Sequence, residues 1–414
     1  MEGKVAGKLR EAAELSAAHR TVEAEDLYRA AIRTDPTVAE AYFRLGELLQ
    51  CQGRLREAAD IFLDSLPYIR NPRKYCQILQ LTTDLRVDAT VAASGSEVAT
   101  LLPVTAEIEL TAHCQLNCPF CRTGVDLRKK YKDIPRGLLS RDSLLRILEQ
   151  IPSLHMISMY NWGEPFLHPH VIDMVRIVKE HGKYCELSTN MQLMSDELAQ
   201  GLIDAGLDRL RISCDGTTQE AYEAYRRGGR LDKVIEHSRL LAEKKRAAGR
   251  ITPVMIFQMV VNRFNEHQAD AMLDFARDAG ADMVERIGIC PATPEGSQLL
   301  DHFAPSDPRF PRYTPTNALT GCRQPWRHVS IDWNGDVYTC CNPSGIRRYT
   351  MGNITEAPFE EIWNNQRYRY ARRLIRTGQP EENGLALPCK DLCHGIEFEG
   401  KWFAGYASAA GDAE

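Results

Sequence analysis

Three cysteines fall within one short segment that directly follows a strand-like apolar run. The sequence EIELTAHCQLNCPFCRTG places Cys114, Cys118 and Cys121 in a C-x3-C-x2-C pattern. Soft thiolates spaced this closely suit iron–sulfur or zinc sites better than hard cations. A structural zinc ion needs a fourth protein ligand, and His113 is badly placed to bind beside Cys114. The pattern therefore favours a cubane cluster with three protein ligands and one open iron, with structural zinc as the alternative.

The remaining composition describes an ordinary globular chain. It has 414 residues, 13 of them cysteine, and a net charge of −5, which argues against a nucleic-acid partner. The N-terminal residues carry charges throughout, and no apolar stretch approaches the roughly 20 residues that span a bilayer. We therefore expect a cytoplasmic protein without membrane contact. Thiols stay reduced in that compartment, so clustered cysteines indicate metal or catalytic sites.

The first ~70 residues repeat with a period of 34, the period of helix-pair repeats. Ala24 and Tyr28 recur as Ala58 and Phe62, and Pro36 closes the first unit. Small residues placed where two helices cross, with bulky ones beside them, resemble the tetratricopeptide pattern. A generic helical bundle is the alternative.

From Val104 onward, six short apolar runs alternate with helical patterns, which predicts a parallel sheet. Six units suit an open or partial (β/α)6 barrel better than a closed eight-fold one. We thus predict an α/β fold preceded by an all-α domain and followed by a small cysteine-rich α+β domain. The predicted boundaries are 1–86 for the repeats, 87–103 for a linker, 104–290 for the barrel, 291–319 for a proline-rich connector, 320–403 for the cysteine-rich domain and 404–414 for a tail.

With Phe120 before its third cysteine, the motif resembles the signature of radical S-adenosylmethionine (SAM) enzymes. In that family the open iron of a [4Fe-4S] cluster chelates SAM, which one electron cleaves to a 5′-deoxyadenosyl radical that abstracts a substrate hydrogen. The segment NWGEPFLHP resembles the family's Gly-Glu-Pro element, in which Gly163 permits close backbone approach. There the Glu164 carboxylate or adjacent carbonyls would hold the methionine ammonium. Asn161 and Trp162 replace the commoner first glycine.

The resemblance also implies pocket residues at later strand ends. Ser188, Thr189 and Asn190 end the third predicted strand, and Ser213 and Asp215 lie at the end of the fourth. Such residues also serve as turn and helix-capping residues, so the two interpretations stay open. Gln258 on the fifth strand is a weaker candidate.

Arg226 and Cys214 each have a functional and a plain interpretation. Arg226 resembles an arginine that contacts the carboxylate of the cofactor, and a solvated charge pair is the alternative. A Cys214 thiol beside the pocket would donate a hydrogen atom to a substrate radical. Buried strand cysteines are more commonly packing residues.

The C-terminal segment holds five further cysteines around a predicted hairpin with Asn334-Gly335 at its turn. It resembles the SPASM domain, or its shorter Twitch form, and implies one auxiliary [4Fe-4S] cluster. The predicted ligands are Cys322, Cys340, Cys389 and Cys393, with Cys341 as an alternative ligand and four-thiolate zinc as an alternative site. A fully ligated cluster would transfer electrons rather than bind substrate.

The resemblance predicts an enzyme but does not identify its substrate. The leading hypothesis is oxidation or epimerisation of a carbohydrate or aminoglycoside-like molecule, with flavodoxin or ferredoxin as reductant. The first rival is a peptide or protein maturase whose repeats bind the polypeptide. The second rival is a non-enzymatic repeat adaptor with structural metal sites.

Overall fold

The chain forms two compact units, Met1–Ala93 and Ser94–Glu414. The computed structural model describes residues 2–93, 96–123, 136–289, 294–310, 322–341, 345–379, 385–387, 389 and 407–408. None of the helices in these ranges has the length and hydropathy to cross a membrane.

The first unit is helical, and its packing follows the 34-residue repeat. Ala24, Tyr28, Ala58 and Phe62 are all buried, as the repeat predicts for residues at helix crossings. Gly46 lies against the Phe62 ring so closely that a Cβ there would come within 2.6 Å of it. The helices are α1 (Glu2–Ala17), α2 (Thr21–Thr34), α3 (Ala39–Cys51), α4 (Leu55–Asp64) and α5 (Pro72–Ala93).

Helix α5 extends seven residues into the segment predicted as a linker, since it continues to Ala93. The sequence VDATVAA contains neither Gly nor Pro, and Val87 and Thr90 are buried. The Thr90 hydroxyl donates to the carbonyl of Arg86 one turn earlier. Residues 87–93 of the segment predicted as a linker are therefore helical.

The second unit is built on one sheet whose first six strands are parallel and adjacent in chain order, which confirms the predicted α/β architecture. Their C-terminal ends consequently share one edge of the sheet. These strands are β1 (Thr105–Ile108), β2 (Met156–Ser158), β3 (Tyr184–Thr189), β4 (Arg209–Ser213), β5 (Val254–Val261) and β6 (Met283–Gly288).

Helices connect these strands, two of them between β4 and β5. They are α6 (Arg141–Gln150), α7 (Val171–Glu180), α8 (Asp196–Asp204), α9 (Gln219–Tyr225), α10 (Leu231–Ala247) and α11 (Met272–Asp278). A further helix, α12 (Pro294–Phe303), lies within the segment predicted as a proline-rich connector.

The C-terminal region continues the same sheet. Strand β7 (His328–Ile331) pairs in parallel with β1, and β8 (Asp336–Tyr338) pairs with β7 through the predicted Asn-Gly turn. The remaining elements are α13 (Gln324–Arg327), β9 (Gly352–Asn353), α14 (Phe359–Trp363), α15 (Gln366–Thr377) and β10 (Ala407–Ser408).

Candidate active site

The three-cysteine loop leaves the C-terminal end of β1 and packs against the Gly-Glu-Pro segment that follows β2. A Cβ on Gly163 would come within 1.7 Å of the carbonyl oxygen of Thr111. The Glu164 N–H donates to the carbonyl of His113 at 2.8 Å. Only glycine permits this approach, so the two predicted motifs are held together by the backbone itself.

These segments surround a cavity of about 220 Å³ at the C-terminal edge of the sheet. Three thiols line it together with polar groups from the ends of β3 and β4. The lining residues are Cys114, Leu116, Cys118, Phe120, Cys121, Thr123, Tyr160, Asn161, Trp162, Gly163, Glu164, Ser188, Thr189, Asn190, Ser213, Tyr225 and Arg226.

The Cys114 thiol faces two hydrogen-bond donors. Cys114 Sγ lies 3.5 Å from the backbone nitrogen of Leu116 and 3.7 Å from Nδ2 of Asn190. Burial raises the pKa of Cys114 to about 11 and that of Cys118 to about 12. Thiols in this setting keep their protons until a metal displaces them. A lining of three thiols with N–H groups directed at sulfur fits a thiolate-bound cluster.

Among the described residues, no group of three or more His, Cys, Asp or Glu side chains is arranged to hold a metal ion. A tetrahedral zinc site would need such convergence on one ion. In a cubane cluster each thiolate binds a different iron. The assignment of Cys114, Cys118 and Cys121 as cluster ligands remains a prediction from their spacing and their shared cavity.

Glu164 is buried and bonds the end of β2 to the end of β3. Its Oε1 accepts from the Thr189 hydroxyl at 2.7 Å and from the Phe166 N–H at 3.1 Å, while Oε2 accepts from the Asn190 N–H at 2.7 Å. Burial nevertheless raises its pKa to about 7. Because protein donors occupy both oxygens, the adjacent carbonyls are better placed than this carboxylate to receive an ammonium group.

Arg226 forms a buried ion pair with Asp215. The sequence had left a solvated charge pair as the alternative for Arg226. Its side chain is 15% exposed and that of Asp215 is 0% exposed. Burial opposes the charge, but the Asp215 carboxylate holds the pKa of Arg226 above its usual value. Its Nη1 lies 3.9 Å from Cys118 Sγ. The Arg226 guanidinium therefore supplies fixed positive charge beside the cysteine loop.

Phe120 forms one wall of the cavity. Its ring stacks on Tyr225 with the centroids 5.8 Å apart and meets the edge of Phe303 at 5.2 Å. Because Phe303 ends α12, that helix fixes the position of the cysteine loop from its apolar side.

The structure places three of the other predicted pocket residues in the cavity lining and two outside it. Ser188, Asn190 and Ser213 line the cavity. Asp215 acts through Arg226, and Gln258 Nε2 donates to Glu285 Oε2 at 2.8 Å.

Cys214 is fully buried, does not line the described cavity, and its Sγ faces the carbonyl of Gly216 at 3.5 Å. Successive strand residues point to opposite faces. The structure thus does not bring Cys214 to the pocket where a hydrogen donor would lie.

The sequence did not single out Tyr160 or Tyr225 as pocket residues, although Tyr225 directly precedes Arg226. Thr189, which ends the third predicted strand, lines the cavity with Ser188 and Asn190. Trp162, noted only as a replacement for glycine, lines the cavity, and Arg122 stacks over its ring at 4.7 Å. The available signal for these residues in the sequence was their position beside a predicted motif.

The C-terminal cysteines are partly described. Burial raises the pKa of Tyr368, and Cys340 and Cys389 contribute in the same direction. Cys341 is exposed, whereas Cys322 and Cys340 are half-buried. Cys393 lies outside the described residues, so the ligand set of the auxiliary cluster remains a prediction.

Comparison with known families identifies each region of the chain. The radical SAM superfamily model matches residues 108–276, the SPASM iron–sulfur cluster-binding domain model matches 322–394, and a tetratricopeptide repeat model matches 27–59. The order is the one that the sequence predicted.

Two curated relatives are similar over most of their length. The tungsten-containing aldehyde ferredoxin oxidoreductase cofactor-modifying protein of Pyrococcus furiosus is 26% identical, over 65% of this chain and 83% of that protein. The PqqA peptide cyclase of Gluconobacter oxydans is 25% identical, over 63% of this chain and 76% of that protein.

The structure of Streptococcus suis SuiB bound to S-adenosylmethionine is 15% identical, with a TM-score of 0.52 over 83% of this chain and 84% of that one. That structural likeness concerns the fold.

The parallel sheet and the three-cysteine cavity at its C-terminal edge lie in a radical SAM domain, since the radical SAM model matches residues 108–276. More particularly, the chain combines this domain with a SPASM domain after it and tetratricopeptide repeats before it. These domains imply S-adenosylmethionine and [4Fe-4S] clusters as cofactors, which confirms the prediction of these groups.

Proposed function

We propose that this chain is a radical SAM oxidoreductase or isomerase that abstracts hydrogen from a polypeptide substrate. The observation that carries the enzymatic part is the shared cavity: Cys114, Cys118 and Cys121 line it beside Gly163 and Arg226. A repeat adaptor with structural metals would have no need of such an arrangement.

Different residues around the cavity would bind the cluster and the different groups of SAM. The three cysteines would each hold one iron, and the carbonyls beside Glu164 would receive the methionine ammonium. Arg226 would face the carboxylate of the cofactor, while Phe120 and Tyr225 close the apolar side. When bound, the cluster and SAM supply the electron and the 5′-deoxyadenosyl radical for hydrogen abstraction.

The C-terminal cysteines would serve electron transfer. We assign Cys322, Cys340, Cys389 and Cys393 to an auxiliary [4Fe-4S] cluster, with Cys341 as the alternative ligand. Four thiolates leave no open iron, so this cluster would accept or relay electrons. Flavodoxin or ferredoxin would be the reductant.

Two observations support a polypeptide as substrate. Curated relatives include PqqA peptide cyclases, and the first unit consists of tetratricopeptide-type helices. Packed helices of this kind offer an extended surface to a peptide. A carbohydrate or aminoglycoside-like substrate is the second candidate, favoured by the hydroxyl groups of Tyr160, Ser188 and Ser213 in the cavity lining.

Iron content and SAM cleavage test the proposal. Anaerobically reconstituted protein should hold about eight irons per chain and, with dithionite, convert SAM to 5′-deoxyadenosine. Cys114→Ala should lower iron to about four and stop cleavage. The matched control Cys51→Ala, at an exposed position in α3, should change neither. Zinc in place of iron, or cleavage surviving in Cys114→Ala, would contradict the assignment.

A further inference from the structure

Charged side chains extend below the cavity on the inner face of the barrel. On β3, Glu186 shares a face with Ser188, and on β4, Arg211 shares one with Ser213. The strand register sets Ser213 level with Gln258 and Gln258 level with Glu285. Because Ser188 and Ser213 line the cavity, these charges lie on the same side of the sheet as the cavity.

Arg211 joins two carboxylates from strands on either side of it. Its Nε donates to Glu186 Oε1 at 2.9 Å, and its Nη1 pairs with Glu285 Oε2. The hydroxyl of Tyr160, a cavity-lining residue, donates to Glu186 Oε1 at 3.0 Å. Burial opposes ionisation, yet Arg209 and Arg211 hold the pKa of Glu186 below its usual value. Glu186 is therefore charged, and Arg211 is already paired on both sides.

The carboxylate of Glu285 has one oxygen without a partner. Its side chain is only 3% exposed, and its Oε1 is buried without a hydrogen-bond partner among the described residues. Oε2 of Glu107, which is in register with Ser158 and through it with Glu186, also has no hydrogen bond among these residues, but His328 Nε2 lies 3.8 Å from it. Leaving a buried acceptor unsatisfied costs about 1–3 kcal/mol, and more when it is charged. Such groups indicate a missing ligand or water.

The geometry points to a substrate-recognition site in which Glu285 Oε1 accepts a hydrogen bond from a basic nitrogen of the substrate, an ammonium or guanidinium group. Two Arg (209 and 211) stand against three Glu (107, 186 and 285), so the inner face carries an excess negative charge that favours a cation. An anionic group would meet carboxylates, because Arg211 is engaged. A lysine or arginine side chain and an amino sugar share this chemistry, and the inference rests on the proposed function.

Binding to reconstituted wild-type enzyme with SAM tests the inference through matched probes. One arm compares an acetylated, amidated Gly-Lys-Gly peptide with its Nε-acetyl-lysine form, and the other compares glucosamine with glucose. A charged hydrogen bond predicts that the amine binds about tenfold or more tightly than its uncharged match in one arm. Preference in the peptide arm indicates a polypeptide, and preference in the sugar arm an amino sugar. Equal affinities in both arms, or no binding of either amine, would overturn the inference.

The variant Glu285→Gln adds a second test, since it replaces the carboxylate by an amide of similar size. It should abolish the preference for the amine, whereas Glu236→Gln, at an exposed position in α10, should retain it. Melting temperature and iron content establish that each variant is folded. A preference that survives in folded Glu285→Gln would overturn the assignment. Failure of the wild type to cleave SAM would instead count against the proposed function, and probe binding is read independently of cleavage.

Discussion

At the scale of single residues, Gly163 shows why a short motif is informative. The glycine is needed because of a carbonyl on another segment, that of Thr111, which occupies the space of a side chain. The same contact sets the distance between Glu164 and the cysteine loop through the bond to His113. A residue without a side chain thus positions both halves of the proposed SAM site.

Gly163→Ala should therefore impair both stability and catalysis. The methyl group would force the two segments apart, which we expect to lower the free energy of unfolding by about 1–3 kcal/mol. A displacement of about 1 Å at the reacting groups would slow SAM cleavage about 100-fold. Denaturant unfolding and 5′-deoxyadenosine formation measure the two effects.

The control is Gly7→Ala in α1, where a Cβ would meet no atom within 4 Å. There the substitution should leave cleavage unchanged and stabilise the helix by up to about 1 kcal/mol. Wild-type cleavage in Gly163→Ala would show that the close approach is dispensable.

Cavity-lining residues next to the motifs could be predicted from the sequence. Residues whose place depends on the direction of the side chain could not. Ser188, Asn190 and Ser213 line the cavity as expected. Cys214 follows Ser213 and is fully buried away from that lining, while Gln258 shares the face of Ser213 but is held by Glu285. The pairing of neighbouring strands decides whether such a side chain reaches the cavity. A single sequence does not show that pairing.

At the scale of elements, the sequence predicted the series of six strands with helices between them but not which edges would meet. The C-terminal hairpin was expected in a separate domain, yet β7 pairs in parallel with β1. Its Val329 and Ile331 are fully buried, and β1 would otherwise have an open edge. Helices α14 and α15 are separate because Asn365 caps the second, accepting from the Tyr368 N–H.

Arg372 on α15 links the C-terminal region to the segment before β1 through hydrogen bonds. Its guanidinium lies over the rings of Trp363 and Tyr368, 4.7 and 5.1 Å from the centroids. It donates to the carbonyls of Pro325 and Glu97 at 2.9 and 3.1 Å. Burial lowers its pKa to about 10, so it stays charged at neutral pH.

Arg372→Met should destabilise the second unit by about 3 kcal/mol, because it leaves buried carbonyls without donors. Thermal unfolding checks this expectation. Arg376→Met, at an exposed position of the same helix, should change the free energy of unfolding by less than about 0.5 kcal/mol. Equal stability of the two variants would mean that the Arg372 bonds contribute nothing net.

At the scale of the whole molecule, the chain separates a repeat unit from the catalytic unit. Every residue that lines the described cavity lies between 114 and 226, within the second unit. The sheet of that unit runs without interruption from β10 through β6 to β1 and on to β9. The C-terminal cysteine region is therefore a structural part of the barrel unit.

Deleting residues 1–93 should consequently spare the radical chemistry. The remaining unit keeps its own sheet, so we expect about eight irons per chain and uncoupled SAM cleavage within about twofold of wild type. Truncation before Cys322 is the contrasting variant, because it removes β7 and exposes the edge of β1, and it should yield insoluble protein. Iron analysis, 5′-deoxyadenosine formation and size-exclusion chromatography distinguish the outcomes. Loss of iron on deletion of 1–93 would show that the repeats support the catalytic unit itself, rather than contributing only to the binding of a polypeptide.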